Sequence, residues 1–172
     1  RHQFNIADSG FGLRAARVWN DRSGEVGRTL SAEDFDIDRI FGQEGVQILH
    51  ISGLIAAMSE ETTRCCLELA RAARKYGTKA SVDLNYRGSF WEGREEELRK
   101  AFREIAMGAD ILLLNMFDVQ HPGILGLPKN TAPEDTIRCL KKLTGRPVGI
   151  NLEPVPEGTK GEEDPLWAMS AG

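Results

Sequence analysis

The sequence is short of cysteine, of long apolar runs and of surplus basic charge, and each shortage removes a class of function. Only Cys65, Cys66 and Cys139 occur among its 172 residues. Two are neighbours, the number is odd and no C-x-x-C spacing exists, so neither a disulfide framework nor a zinc site is expected. No apolar stretch approaches the roughly 20 residues that span a bilayer, and no charged n-region with an apolar h-region opens the chain. A reduced, cytoplasmic setting is the default expectation. Lysine and arginine number 22 against 26 acidic residues, a net charge of −4. That balance argues against a surface built for nucleic acid or membrane. The phosphate-gripping G-x-x-x-x-G-K-[ST], the G-x-S-x-G elbow and the zinc-binding H-E-x-x-H are all absent, as are repeats and low-complexity tracts. What remains, 41% apolar and 28% charged residues, suffices for a packed core. The chain starts at Arg1 rather than Met and stops at Gly172 soon after an apolar stretch, so an excerpt of a longer protein is expected.

From residue 46 onward the pattern alternates between strand and helix. Val46–Ser52 (VQILHIS) is a short apolar run ending at Gly53. Ser59–Tyr76 predicts a helix, with Ser59 as cap, Glu60 and Glu61 in the first turn, and Arg74 and Lys75 before Gly77. Cys66, Leu69, Ala70 and Ala73 form its apolar stripe. Lys79–Leu84 (KASVDL) is the next strand. Glu95–Met107 is a second helix with Leu98, Ala101, Phe102 and Ile105 on its inner face. Asp110–Leu114 (DILLL) shows no alternation and predicts a strand covered on both faces. Thr131-x-x-Glu134 fits a capping box for a helix to about Leu143, and Pro147–Leu152 is a further strand. This order implies right-handed crossovers and a parallel sheet with helices on both faces. Glu153–Pro165 is expected to be a loop.

The first 45 residues differ. Ala15–Asp21 and Glu25–Leu30, separated by Ser23-Gly24, predict a hairpin. Ser31-x-x-Asp34 predicts a short helix reaching Ile40 and Phe41. Gly10-Phe-Gly12-Leu-Arg-Ala15 satisfies the G-x-G-x-x-A dinucleotide fingerprint, which carries meaning only between a strand and a helix. The ribbon-like residues after it weigh against a nicotinamide site.

In open parallel sheets ligands sit beyond the carboxyl ends of the strands, and three such ends are polar. They are His50-Ile-Ser52-Gly53, Asp83-Leu-Asn85-Tyr-Arg87 and Asn115-x-x-Asp118. Arginine beside a carboxamide suits an anionic or polyhydroxylated ligand, and a carboxylate three residues after an amide can hold hydrated magnesium near phosphates. Each has a plainer role. Asn115-x-x-Asp118 also fits a helix N-cap, Asp83 and Asn85 also fit a chain turn, and His50 fits a hydrogen-bonded core residue. Trp91 and Trp167 fit packing, and His2 and His121 stand outside any constellation.

Taken together, His50-Ile-Ser-Gly53, Ala57-Met-Ser59-Glu60, Asp83-Leu-Asn85-Tyr86-Arg87 with Trp91, and Asn115-x-x-Asp118 resemble the PfkB (ribokinase-like) carbohydrate kinases. The nearest branch is the 2-keto-3-deoxygluconate kinases, and the resemblance runs from about Val18 to Trp167. It implies an incomplete α/β/α sandwich over residues 31–172, with a small β-lid to which residues 15–30 contribute and residues 1–14 unassigned. It implies ATP and Mg2+ as cofactors and a small sugar or sugar acid as substrate. By the same resemblance, Arg22 is the lid arginine for the sugar acid and Trp19 its aromatic neighbour. Asn85 and Arg87 line the sugar and phosphate cleft, and Asn115 and Asp118 match the N-x-x-E motif that organises magnesium and nucleotide. Two copies could meet through the β-lid.

The departures are specific. Asp118 replaces glutamate, a shorter arm that reaches metal through water. Asn151-Leu152-Glu153 stands where the branch has T-L-R, and Glu153 would repel a sugar carboxylate. The G-A-G-D segment that supplies the catalytic base does not occur in the sequence, nor does the glycine-rich amino-terminal sugar segment. The expected function is therefore a sugar or sugar-acid kinase represented without its base, inactive as 172 residues alone. The alternatives are a non-catalytic ribokinase-like protein acting by binding, and a nicotinamide-dependent oxidoreductase through Gly10 and Gly12.

Overall fold

A computed structural model describes residues 2–22, 24–115, 118, 131–145, 148–151 and 167–169. Its first elements are β1 (Phe4–Asp8) and β2 (Arg17–Asp21), an antiparallel ribbon with Phe4 opposite Asp21 and Asp8 opposite Arg17. The expected hairpin is thus displaced. The strand ending at Asp21 pairs backward, and Val26–Thr29 winds into a 3-10 turn instead of a second strand. Pairing partners lie outside any local sequence window, so one strand with a plausible turn on either side is ambiguous. The turn that is used contains Gly10, at φ 73°, where an added Cβ would sit 2.4 Å from the Arg14 carbonyl oxygen. Gly10 and Gly12 therefore join strand to strand. A dinucleotide fingerprint needs strand to helix, and the nicotinamide reading falls with that geometry.

Ser31 caps the turn Ala32–Asp34 in a box with Asp34, but a break at Phe35 separates it from a wide π-type helix, Asp38–Glu44. The alternating region then runs β3 (Ile48–Ser52), α1 (Gly53–Ala57), α2 (Glu60–Tyr76), β4 (Lys79–Asp83), α3 (Gly88–Trp91), α4 (Glu95–Gly108) and β5 (Ile111–Asn115). It continues as α5 (Pro133–Thr144), β6 (Val148–Asn151) and β7 (Trp167–Met169). Ser59 caps α2 as expected, and Thr62 returns the bond to the Ser59 amide at 2.9 Å. The box expected at Thr131 does not form. Ala132 is the cap residue of α5 and Pro133 occupies its first position, where a fixed φ and a missing N–H cost nothing. Leu152, Glu153, the 153–165 loop and His121 lie outside the described residues.

The sheet order is β3-β4-β5-β6-β7, parallel except for the last pair. Ile51, Val82 and Leu112 are register partners and buried. They meet Leu98, Phe102 and Ile105 of α4 and Cys66 of α2 in one core. Trp91 is 2% exposed, with its ring 5.2 Å from Tyr86 and 5.1 Å from Phe102, so it is a packing residue. The opposite face carries Ile48, His50, Ser81, Ile111 and Leu113. There Ile48 is 59% exposed, and His50 is exposed although its Nδ1 is 3.2 Å from Ser81 Oγ. Helices α2 and α4 pack on the face of Ile51, Val82 and Leu112, and His50, on the edge strand, is hydrogen-bonded without being core. Strands laid down side by side in chain order with right-handed crossovers send every connecting helix to the same side.

Candidate functional site

The strands β3, β4 and β5 end on Ser52, Asp83 and Asn115, all on the sheet face away from the helices. Beyond Asp83 the chain turns at Asn85, whose φ of 41° lies in the left-handed region that asparagine tolerates. The Asn85 amide donates to Ser52 Oγ at 3.2 Å, which ties the β4 exit to β3. Arg87 is exposed, and its Nη1 donates to the Tyr86 carbonyl at 2.9 Å.

Asn115 and Asp118 bond reciprocally. The Asp118 amide donates to Asn115 Oδ1 at 2.7 Å, and the Asn115 amide donates to Asp118 Oδ2 at 3.1 Å. This is the N-cap arrangement, and it uses one carboxylate oxygen. The other, Oδ1, has no hydrogen-bond partner among the described residues, although the side chain is 1% exposed. Burial pushes the Asp118 carboxyl up to about 6. The backbone amides of Asn115 and Tyr86 and the Arg87 guanidinium act against that rise, while the Asp83 carboxylate adds to it. Burial likewise raises Asp83, opposed by the Asn85 amide, His50 and Arg87. Asp83, Arg87 and Asp118 thus form one electrostatic group at the strand ends. Among the described residues no three His, Cys, Asp or Glu side chains are arranged to hold a metal.

A cavity of about 690 Å³ shares Arg87 with this rim and is also walled by Asn20, Arg22, Arg28, Met58 and Phe90. Arg22 and Arg28 lie over one ring, with guanidinium carbons 5.5 and 5.9 Å from the Phe90 centroid. Ser59 Oγ donates to the Arg28 carbonyl at 2.5 Å, and so fastens the 3-10 turn to the start of α2.

The six residues expected at the site thus separate. Arg22 and Arg87 wall the cavity, while Asn85, Asn115 and Asp118 belong to the rim. Trp19 joins neither and is half exposed. Successive strand residues point to opposite faces, so Asn20 turns to the cavity and Trp19 away from it. Arg28 and Phe90 were missed. Glu25–Leu30 has the pattern of a strand, which conceals Arg28, and Phe90 follows the D-L-N-Y-R segment without any motif of its own.

Residues 96–172 match a family described only as a domain of unknown function, DUF7916. Among solved structures, 2-dehydro-3-deoxygluconokinase from Thermotoga maritima superposes with a TM-score of 0.73 at 24% identity, over 87% of this chain and 45% of that one. A PfkB protein from Polaromonas sp. JS666 gives 0.71 at 23% identity, over 99% and 51%. An E. coli protein with the provisional name ribokinase II, solved with ATP and Mg2+, gives 0.63 at 16%, over 91% and 47%. The fold is ribokinase-like. The chain spans about half the length of these structures. No helix among the described residues is long and apolar enough to cross a membrane.

Proposed function

We propose that the intact protein is a PfkB-type sugar kinase that moves the γ-phosphate of ATP to a hydroxyl of a small sugar or sugar acid, 2-keto-3-deoxygluconate-like, in the cytoplasm. The observation that carries this reading is Asp118. It is a buried carboxylate with one oxygen spent in a cap and one unpartnered, at the strand ends, under the influence of an arginine that also walls the cavity. An unsatisfied buried charge is costly, and a hydrated cation would relieve it. Magnesium, when bound, would neutralise phosphate charge during transfer. Asn115 holds the Asp118 backbone amide, Asp118 through Oδ1 would hold the ion by way of water, and Arg87 reaches from the rim to the substrate side. Arg22, from the ribbon end, faces the sugar. Transfer of this kind relies on positioning and charge stabilisation, and these residues supply positioning. The proton of the accepting hydroxyl is left to a base outside this set. The outer face of the ribbon is the surface through which two copies would associate.

The test is nucleotide titration of the intact protein with and without Mg2+. Binding is expected to need magnesium, and Asp118→Asn is expected to weaken the magnesium-dependent affinity about tenfold. Equal affinity in both conditions, or an indifferent variant, would overturn the assignment.

A further inference from the structure

We infer that the cavity takes a polyol carrying two anionic groups, with Arg28 holding the second of them. The inference rests on the kinase reading for the polyol and on the cavity itself for the charges. Four arginines wall it: Arg22, Arg28, Arg87 and Arg94. Arg94 is committed to the fold, because it donates to the Ala57 carbonyl at 3.0 Å and to Thr63 Oγ1 at 3.0 Å and pairs with Glu97 at 2.7 Å. Arg22 has a long pair with Glu25 at 3.4 Å. Arg28 and Arg87 have no carboxylate within ion-pair distance among the described residues.

Arg22 and Arg28 sit over the same Phe90 ring. The ring attracts each guanidinium, but two like charges beside one ring repel, and a bound anion offsets that repulsion. The wall's acids do not fill this role: Glu61 pairs with Arg64 at 3.5 Å, and among the described residues neither Glu60, Glu61 nor Glu92 lies within ion-pair distance of Arg22, Arg28 or Arg87. A single carboxylate occupies one guanidinium fork. The wall offers two without an ion pair among the described residues, Arg28 and Arg87, beside Arg22 with its long pair, and its volume of about 690 Å³ accommodates a six-carbon chain. The second anionic group is either a carboxylate, as in an aldaric acid, or a phosphate ester on a sugar acid.

The experiment is calorimetric titration of the intact protein, without nucleotide, with glucose, gluconate, galactarate and 6-phosphogluconate. Galactarate or 6-phosphogluconate is expected to bind at least tenfold more tightly than gluconate, and which of the two does so identifies the second group. Arg28→Gln is expected to weaken that ligand at least tenfold and gluconate less than threefold, with Arg28→Lys recovering part of the loss. Thermal melts verify that both variants fold. Gluconate binding as tightly as the doubly charged acids, equal losses for all ligands in Arg28→Gln, or no binding by any of them would each overturn the inference. Magnesium-dependent nucleotide binding is read separately, so its persistence would leave the kinase assignment standing while this inference failed.

Discussion

Asp118 concentrates what a single residue can reveal here. Its carboxyl titrates near 6 in the folded chain against an ordinary 3.8, so between those values the folded state holds a proton that the unfolded chain has lost. Stability is greatest below about pH 4 and declines as pH rises to about 6, by about 3 kcal/mol for this group. Urea melts from pH 4 to pH 8 should show that decline. Asp118→Asn should flatten it and be the more stable protein at pH 7, and a wild-type chain that gains stability over this window would refute the account. Asn115 and Asp118 were legible in the sequence because their interaction spans three residues and both partners are in view. Arg28 was not, because its place on the cavity depends on Ser59 and Phe90, 31 and 62 positions away.

Among the elements, those closed by local rules were legible. Ser59 caps α2, three glutamates open α4, and Leu98, Ala101, Phe102 and Ile105 are all buried as their spacing requires. The ribbon was misread because strand pairing is chosen by a partner, not by the strand. The start of α5 moved because proline at the first helical position competes with a threonine cap. Gly53 shows how one element constrains another. It follows β3 directly, and a Cβ there would stand 1.9 Å from the Leu84 carbonyl oxygen and 2.7 Å from the Phe102 ring. The exit of β4 and the inner face of α4 both depend on that missing side chain. Gly53→Ala should therefore destabilise by about 3 kcal/mol, read as a thermal midpoint lower by roughly 10 °C. A midpoint within two degrees of wild type, by the same order of reckoning, would mean that the strand exit yields freely.

At the scale of the whole molecule, two apolar surfaces stand exposed among the described residues: the edge of the sheet at Ile48 and the outer face of the ribbon. They are not equivalent. A two-stranded ribbon is marginal without something packed on it, and its register places Phe4, Ile6 and Trp19 on one face, each at least 50% exposed. Asn5, Ala7, Val18 and Asn20 occupy the other face, and Asn20 walls the cavity. The apolar face thus points away from the proposed ligand, where a second copy could pack without blocking entry. A ribbon held between two copies would also keep Arg22 fixed at the cavity, linking assembly to substrate binding. Sedimentation of the intact protein should show a dimer that Ile6→Glu combined with Trp19→Glu converts to monomer, with gluconate and galactarate both binding more weakly. Ile48→Glu, at the sheet edge, should leave the dimer intact. A monomeric wild-type protein, or a dimer broken by Ile48→Glu and indifferent to the ribbon pair, would place the contact elsewhere and leave Arg22 positioned by its own chain alone.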